Sequence, residues 1–143
     1  MRISAKAEYA CVAMLELAAN YAEPQPLRIK AIAEAQGVPQ RFLVQILLQL
    51  KTAGLVVSVR GASGGYQLAR PPEEISLADV INAIDRASVP RPSSLGARRS
   101  AAVQAVRGIW KEIQDEEQRR LEELTLADLV RRTQQPNALS YQI

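Results

Sequence analysis

Residues Ile29–Leu68 read IKAIAEAQGVPQRFLVQILLQLKTAGLVVSVRGASGGYQL, and this stretch decides the fold. Ile29, Ile32 and Ala33 repeat at three-to-four spacing, which predicts a helix, and Gly37 supplies the left-handed residue that ends it. Pro39 suits the first position of a second helix, where its missing N–H costs nothing. Along that helix Leu43, Ile46, Leu47 and Leu50 form one apolar stripe that must be buried. Gln40, Arg41, Val44, Gln45 and Leu48 then fall nearer the outer face, with Gln49 and Lys51 flanking it. Gln can pair with adenine and Arg with guanine in the major groove, while Val44 or Leu48 can touch a thymine methyl. Gly54 stops the helix. Leu55 to Arg60 is rich in β-branched residues and Tyr66 to Leu68 can return beside it, which leaves Gly61, Gly64 and Gly65 in the bend and Arg60 at the turn. The result is a winged helix-turn-helix, a DNA-reading shape.

Each part alone has a plainer meaning. Two helices at a tight turn also occur as an αα-corner with no nucleic acid in reach. GASGG by itself lacks both the lysine of a P-loop and the helix of a dinucleotide site. Together, the corner and the hairpin make the specific pattern.

Composition excludes several other classes. The chain has 143 residues, 48% of them hydrophobic, which suits one compact domain plus an appendage. With one Trp and one Phe, the core must come from Leu, Ile, Val and Ala, which favours helices over a β-sandwich. Histidine is absent, removing the usual general base and the commonest transition-metal ligand. No convergent carboxylate or lysine pair replaces it, so no catalytic residue and no metal ligand is expected. Cys11 is the only cysteine, which rules out an intrachain disulfide or a cysteine-built zinc site and points to a reducing cytoplasm, where a DNA reader is expected on the nucleoid. The N-terminus carries Arg2, Lys6, Glu8 and Glu16, and no stretch approaches the roughly 20 apolar residues of a membrane span. The net charge of +3 is unevenly spread: residues 1–99 hold 12 Lys or Arg against 8 Asp or Glu, giving +4, and the remainder 6 against 7, giving −1. The basic part holds the reading unit, as phosphate attraction requires.

The rest of the chain is capped helices and one long helix. Ser4 can cap a helix from about Ala5 to Asn20, with Ala10, Met14, Leu17 and Ala18 on one face. Ser76 and Asp79 have the spacing of a capping box for a helix through Val80, Ile81 and Ile84 to about Asp85, and Thr125 and Asp128 repeat it before Leu129 and Val130. The Pro- and Ser-rich segment between them reads as a flexible loop, which divides the chain into a DNA-binding domain (1–86), a loop (87–99) and a dimerisation helix with tail (100–143). From about Ser100 to Leu124, Val103, Val106, Trp110, Ile113, Leu121 and Leu124 keep helical spacing. A helix of this length would reach roughly 36 Å, longer than the small domain is wide. Pairing with a second copy covers the stripe and sets two reading helices about 34 Å apart, one DNA turn. The competing arrangement folds this helix back on its own domain. The expected fold is mainly α with a small β-wing: a winged helix-turn-helix domain plus a long C-terminal dimerisation helix.

Four segments carry a family resemblance: MRISAKAEYACVAML, VPQRFLVQILLQLKTAGLVVSVRGASGGYQLAR, ISLADVINAID and GIWKEIQDEEQRRLEELTLADLV. Together they resemble the iron–sulfur cluster regulator family of bacterial transcription factors, over nearly the whole chain to about Val130. The resemblance implies a winged-helix homodimer with a crossed long helix that binds palindromic double-stranded promoter DNA and acts as a repressor. It implies that Pro39, Gln40, Arg41, Val44 and Gln45 enter the major groove and that Arg60 reaches the minor groove with Gly61, Ser63, Gly64 and Tyr66 around it. It also implies that Arg2, Ser4 and Lys6 lie close to the DNA backbone. Cluster-binding relatives carry three cysteines in the loop before the long helix, and often a histidine three residues before the tryptophan. Here the loop has no cysteine and the position three before Trp110 is Arg107. Glu8 occupies a place from which some relatives recruit an acidic ligand, yet one carboxylate cannot hold a cluster without thiolates. Glu8 reads instead as a macrodipole partner of its helix, and Cys11 as a small core residue. No cofactor is expected. Two other readings stay open: a winged module that docks on a regulatory protein, as in one type controlled by a bound metabolic enzyme, and a sensor of a small effector held by the loop and tail.

Overall fold

The computed structural model describes residues 2–23, 25–85 and 100–135. The loop expected at 87–99 lies outside the described residues. Helix α1 spans Ala5–Ala19, and its cap is Ser4, whose hydroxyl accepts from the Ala7 N–H at 3.0 Å. Ala7, Ala10, Ala13, Met14, Leu17 and Ala18 are its buried residues, and the four alanines allow close approach by three partners. It packs against α3, α4 and α6.

Helix α2 spans Ile29–Gln36 and ends at Gly37, whose φ of 68° is the left-handed conformation that closes a helix without a Cβ penalty. Helix α3 spans Gln40–Thr52. Pro39 is its cap and not its first residue, because its carbonyl accepts from the N–H groups of Phe42 and Leu43 at 3.1 and 3.4 Å while its own ψ stays extended. Leu43, Ile46, Leu47 and Leu50 are fully buried. Each such side chain contributes about 1.5–3 kcal/mol, so this stripe seats the helix.

The wing is one antiparallel hairpin, β1 (Val56–Val59) and β2 (Gly65–Leu68), with Val56 opposite Leu68 and Val59 opposite Gly65. Gly65 therefore belongs to the strand and not to the bend. A third piece of backbone, unforeseen in the sequence, joins the sheet: Leu27 and Tyr66 exchange N–H···O bonds at 3.0 and 2.7 Å. Their pairing ties the wing to the entrance of α2.

After a short 3-10 turn at Pro72–Glu74, α4 spans Leu77–Asp85, α5 spans Ala101–Glu123 and α6 spans Leu126–Thr133. Leu126 is fully buried in the same core as Met14, Ile32 and Leu47. Both capping boxes form: Ser76 N–H bonds Asp79 and the Asp79 N–H bonds the Ser76 hydroxyl, at 3.0 and 3.1 Å, and Thr125 and Asp128 do the same. The two boxes also bond each other, through Leu77 N–H to the Leu124 carbonyl at 2.8 Å and Leu126 N–H to the Ile75 carbonyl at 2.9 Å. This clasp fixes the far end of α5 to the start of α4.

Thr125→Ala is expected to cost about 1 kcal/mol, read as a lower midpoint in thermal unfolding. The Thr125 backbone N–H first, then its hydroxyl, hold the Asp128 carboxyl below its ordinary value of 3.8, with Arg131 adding to this. A depressed carboxylate stabilises the fold above the unfolded value, so this contribution fades as pH falls through the acid range.

Candidate nucleic-acid interface

With its stripe buried, α3 turns the opposite face to solvent. Gln40, Arg41, Val44, Gln45 and Leu48 are all exposed, Val44 at 50% and Leu48 at 60%. Two large aliphatic groups this exposed on one helix face lack a partner among the described residues and suit thymine methyls. Gln49 is half-buried with its side-chain oxygen shielded, so it stands off this face. Lys51 donates to the Ser58 hydroxyl at 2.8 Å, which braces the wing against the end of α3.

The wing presents Arg60 at its tip. Arg60, Gly61 and Ser63 are exposed, Gly64 is buried beneath the turn with its N–H on the Gly61 carbonyl at 3.0 Å, and Tyr66 is half-buried against the core. An open groove of about 460 Å³ separates wing from helices, lined by Arg28, Lys30, Gln40, Ser58, Val59 and Gly61 among others. Arg28 and Lys30 escaped the sequence reading. The signal was their place at the mouth of α2, where Arg28 caps the helix and Lys30 lies in its first turn, on the same groove as Gln40.

The N-terminal residues are exposed at Arg2 and Ser4 and half-buried at Lys6. Ser4 is doubly engaged: besides capping α1, its hydroxyl donates to the Asp85 carboxylate at 2.8 Å. Cys11 is half-buried, and burial, followed by the charges of Asp85 and Glu8, pushes its thiol up to about 11. At neutral pH it is a protonated thiol and a poor nucleophile.

A second exposed surface lies on α5, which has no buried residue at all. Val106, Trp110 and Ile113 are exposed at 50, 59 and 41%, and Ile109 joins them at 49%. Val103, Leu121 and Leu124 are half-buried. The outward stripe is therefore Val106, Ile109, Trp110 and Ile113, positions i, i+3, i+4 and i+7 of one helix face, in which Ile109 was visible but overlooked. Among the described residues α5 packs against α4 and does not fold back along the rest of the domain. No described helix is long and apolar enough to cross a membrane.

Comparison with known proteins agrees with this geometry. The profile of the Rrf2 family, described as iron-dependent transcriptional regulators, matches residues 3–132. A provisionally named HTH-type transcriptional regulator of Mycobacterium tuberculosis is 47% identical over 132 residues, covering 90% of this chain and 81% of the relative. The HTH-type transcriptional regulator IscR of Escherichia coli is 34% identical over 131 residues, covering 91% and 80%. Among solved structures, CymR, the global cysteine regulator of B. subtilis, superposes with a TM-score of 0.78 at 33% identity, covering 91% of this chain and 96% of that one. IscR of T. potens gives 0.76 at 32% identity, covering 99% and 96%. The relatives are named as transcriptional regulators. With an exposed reading helix, a braced wing and this likeness along nearly its whole length, the chain belongs to the Rrf2 family and is a DNA-binding winged-helix transcription regulator.

Proposed function

We infer that the protein is a cytoplasmic, homodimeric repressor that reads a palindromic promoter site without an iron–sulfur cluster. The observation that carries this reading is the uncovered face of α3, set beside a wing whose tip is Arg60 and whose angle is held by the Lys51–Ser58 bond. Residues 1–86 form the DNA-binding domain, with α3 in the major groove and the wing in the minor groove. Arg2, Ser4 and Lys6 meet the backbone, together with Arg28 and Lys30 at the groove between wing and α2. The four-residue stripe on α5 pairs with its copy, and twofold symmetry then matches the two halves of a palindrome.

The family's description implies iron, and the residues here do not fit a thiolate-held cluster. The sole thiol, Cys11, lies half-buried in α1 with its proton held tightly, and the chain has no histidine. Among the described residues no group of three or more Cys, Asp or Glu side chains gathers as a metal site. The reader is therefore placed under the control of another signal.

The test is Arg60→Ala against the wild type on a duplex selected from a randomised pool. Loss of about 1–3 kcal/mol in binding, with relaxed preference at the minor-groove position and little change elsewhere, is expected. Equal binding by the variant would remove the wing from the interface.

A further inference from the structure

Phe42 is the one large aromatic residue of α3, and it belongs neither to the buried stripe nor to the outer face. It stands on the flank between them, 41% exposed. Two neighbours explain it. Tyr9 of α1 stacks on its ring, with centroids 5.8 Å apart and planes 22° from parallel. The Arg41 guanidinium lies over the same ring, 5.0 Å from the centroid. No described carboxylate pairs with Arg41.

A guanidinium over an aromatic ring is held through its charge and keeps N–H donors for a bidentate contact with the O6 and N7 acceptors of guanine. An unsupported arginine in the first turn of an exposed helix samples many rotamers and must be ordered on binding; here the ordering is done by the ring, and Tyr9 holds the ring. Tyr9 itself is half-buried and packs against the core, so the chain of contacts runs from the domain interior to the reading edge.

We propose that Phe42 and Tyr9 are positioning residues that pre-orient Arg41, so that the operator half-site carries a guanine opposite the first turn of α3. This rests on α3 being the base-reading helix, and it adds which residue sets the preference and what aims it. The stack also couples the base contact to α1, whose first residues approach the backbone.

The experiment selects a duplex from a randomised pool with the wild-type chain, then measures binding of that duplex and its single-base variants by wild type, Arg41→Ala, Phe42→Leu, Phe42→Tyr and the Arg41→Ala/Phe42→Leu double variant. Thermal melting confirms that each is folded. Arg41→Ala should lower the preference for guanine at one position of each half-site by about tenfold or more, the worth of a bidentate pair. Phe42→Leu should lower the same preference about two- to fivefold, as expected from a lost cation–π contact, without changing the salt slope, and Phe42→Tyr should restore it. In the Arg41→Ala background Phe42→Leu should do nothing further. An unchanged preference in Phe42→Leu while Arg41→Ala loses it overturns the positioning role and leaves the base reading intact. Additive losses in the double variant also overturn it, because Phe42 would then act on DNA directly. If Arg41→Ala keeps the wild-type preference, Arg41 does not read a base and the inference falls with that assignment.

Discussion

A chain carrying Trp110→Glu and Ile113→Glu sediments as a folded monomer and binds its duplex about 10²–10⁴-fold more weakly than wild type, the factor lost when two linked half-site contacts become one. The physical ground is the exposure of α5 among the described residues. Its 23 residues include none that is buried, yet Val106, Ile109, Trp110 and Ile113 share one face. In water such a face is costly, and a second copy of the same helix offers the apolar surface that matches it. The substitutions touch no core side chain, so the melting curve of the head should persist. The double variant remaining dimeric in sedimentation would place the interface elsewhere.

Gly65→Ala has the largest expected effect on the fold of the wing. A Cβ at this position would sit 2.4 Å from the Leu27 carbonyl oxygen and 2.6 Å from its carbon, and the backbone φ of +155° is one that side chains rarely adopt. The neighbour is backbone and not a flexible side chain, so relief requires Leu27 to move and both Leu27–Tyr66 hydrogen bonds to break. Strain plus two lost bonds comes to about 3 kcal/mol, measured as a drop in unfolding free energy. DNA binding should fall with it, because Arg60 rides on the hairpin that Leu27 anchors. Native stability together with native binding would mean that the wing tolerates a side chain at this close approach.

Much of the fold was legible because it rests on local chemistry. The stripe of Leu43, Ile46, Leu47 and Leu50 and the two capping boxes are short-range patterns, and each forms where the spacing puts it. What stayed hidden is contact between distant residues. A single pairing such as Leu27 with Tyr66 leaves no alternation to detect, and the burial of Leu126 beside Met14 depends on how α6 returns to α1. The site divides the same way. The outward face of α3 follows from its period, and the exposure of Gln40, Arg41, Val44 and Gln45 agrees with it. The support behind that face, Tyr9 on Phe42 and Phe42 under Arg41, joins residues of different helices that no periodicity links. Pro39 and Gly65 each fell one step from their expected roles because caps and strand ends are decided by individual hydrogen bonds.

Whether a dimer reads DNA without a cluster is tested most directly by titrating the anaerobically purified protein onto its selected duplex while recording its ultraviolet–visible spectrum. The protein is expected to be colourless and to bind at nanomolar concentration with two protomers per duplex, its affinity falling steeply with added salt. A coloured protein whose binding vanishes when the chromophore is removed, or one that fails on every duplex at all salt concentrations, would contradict it.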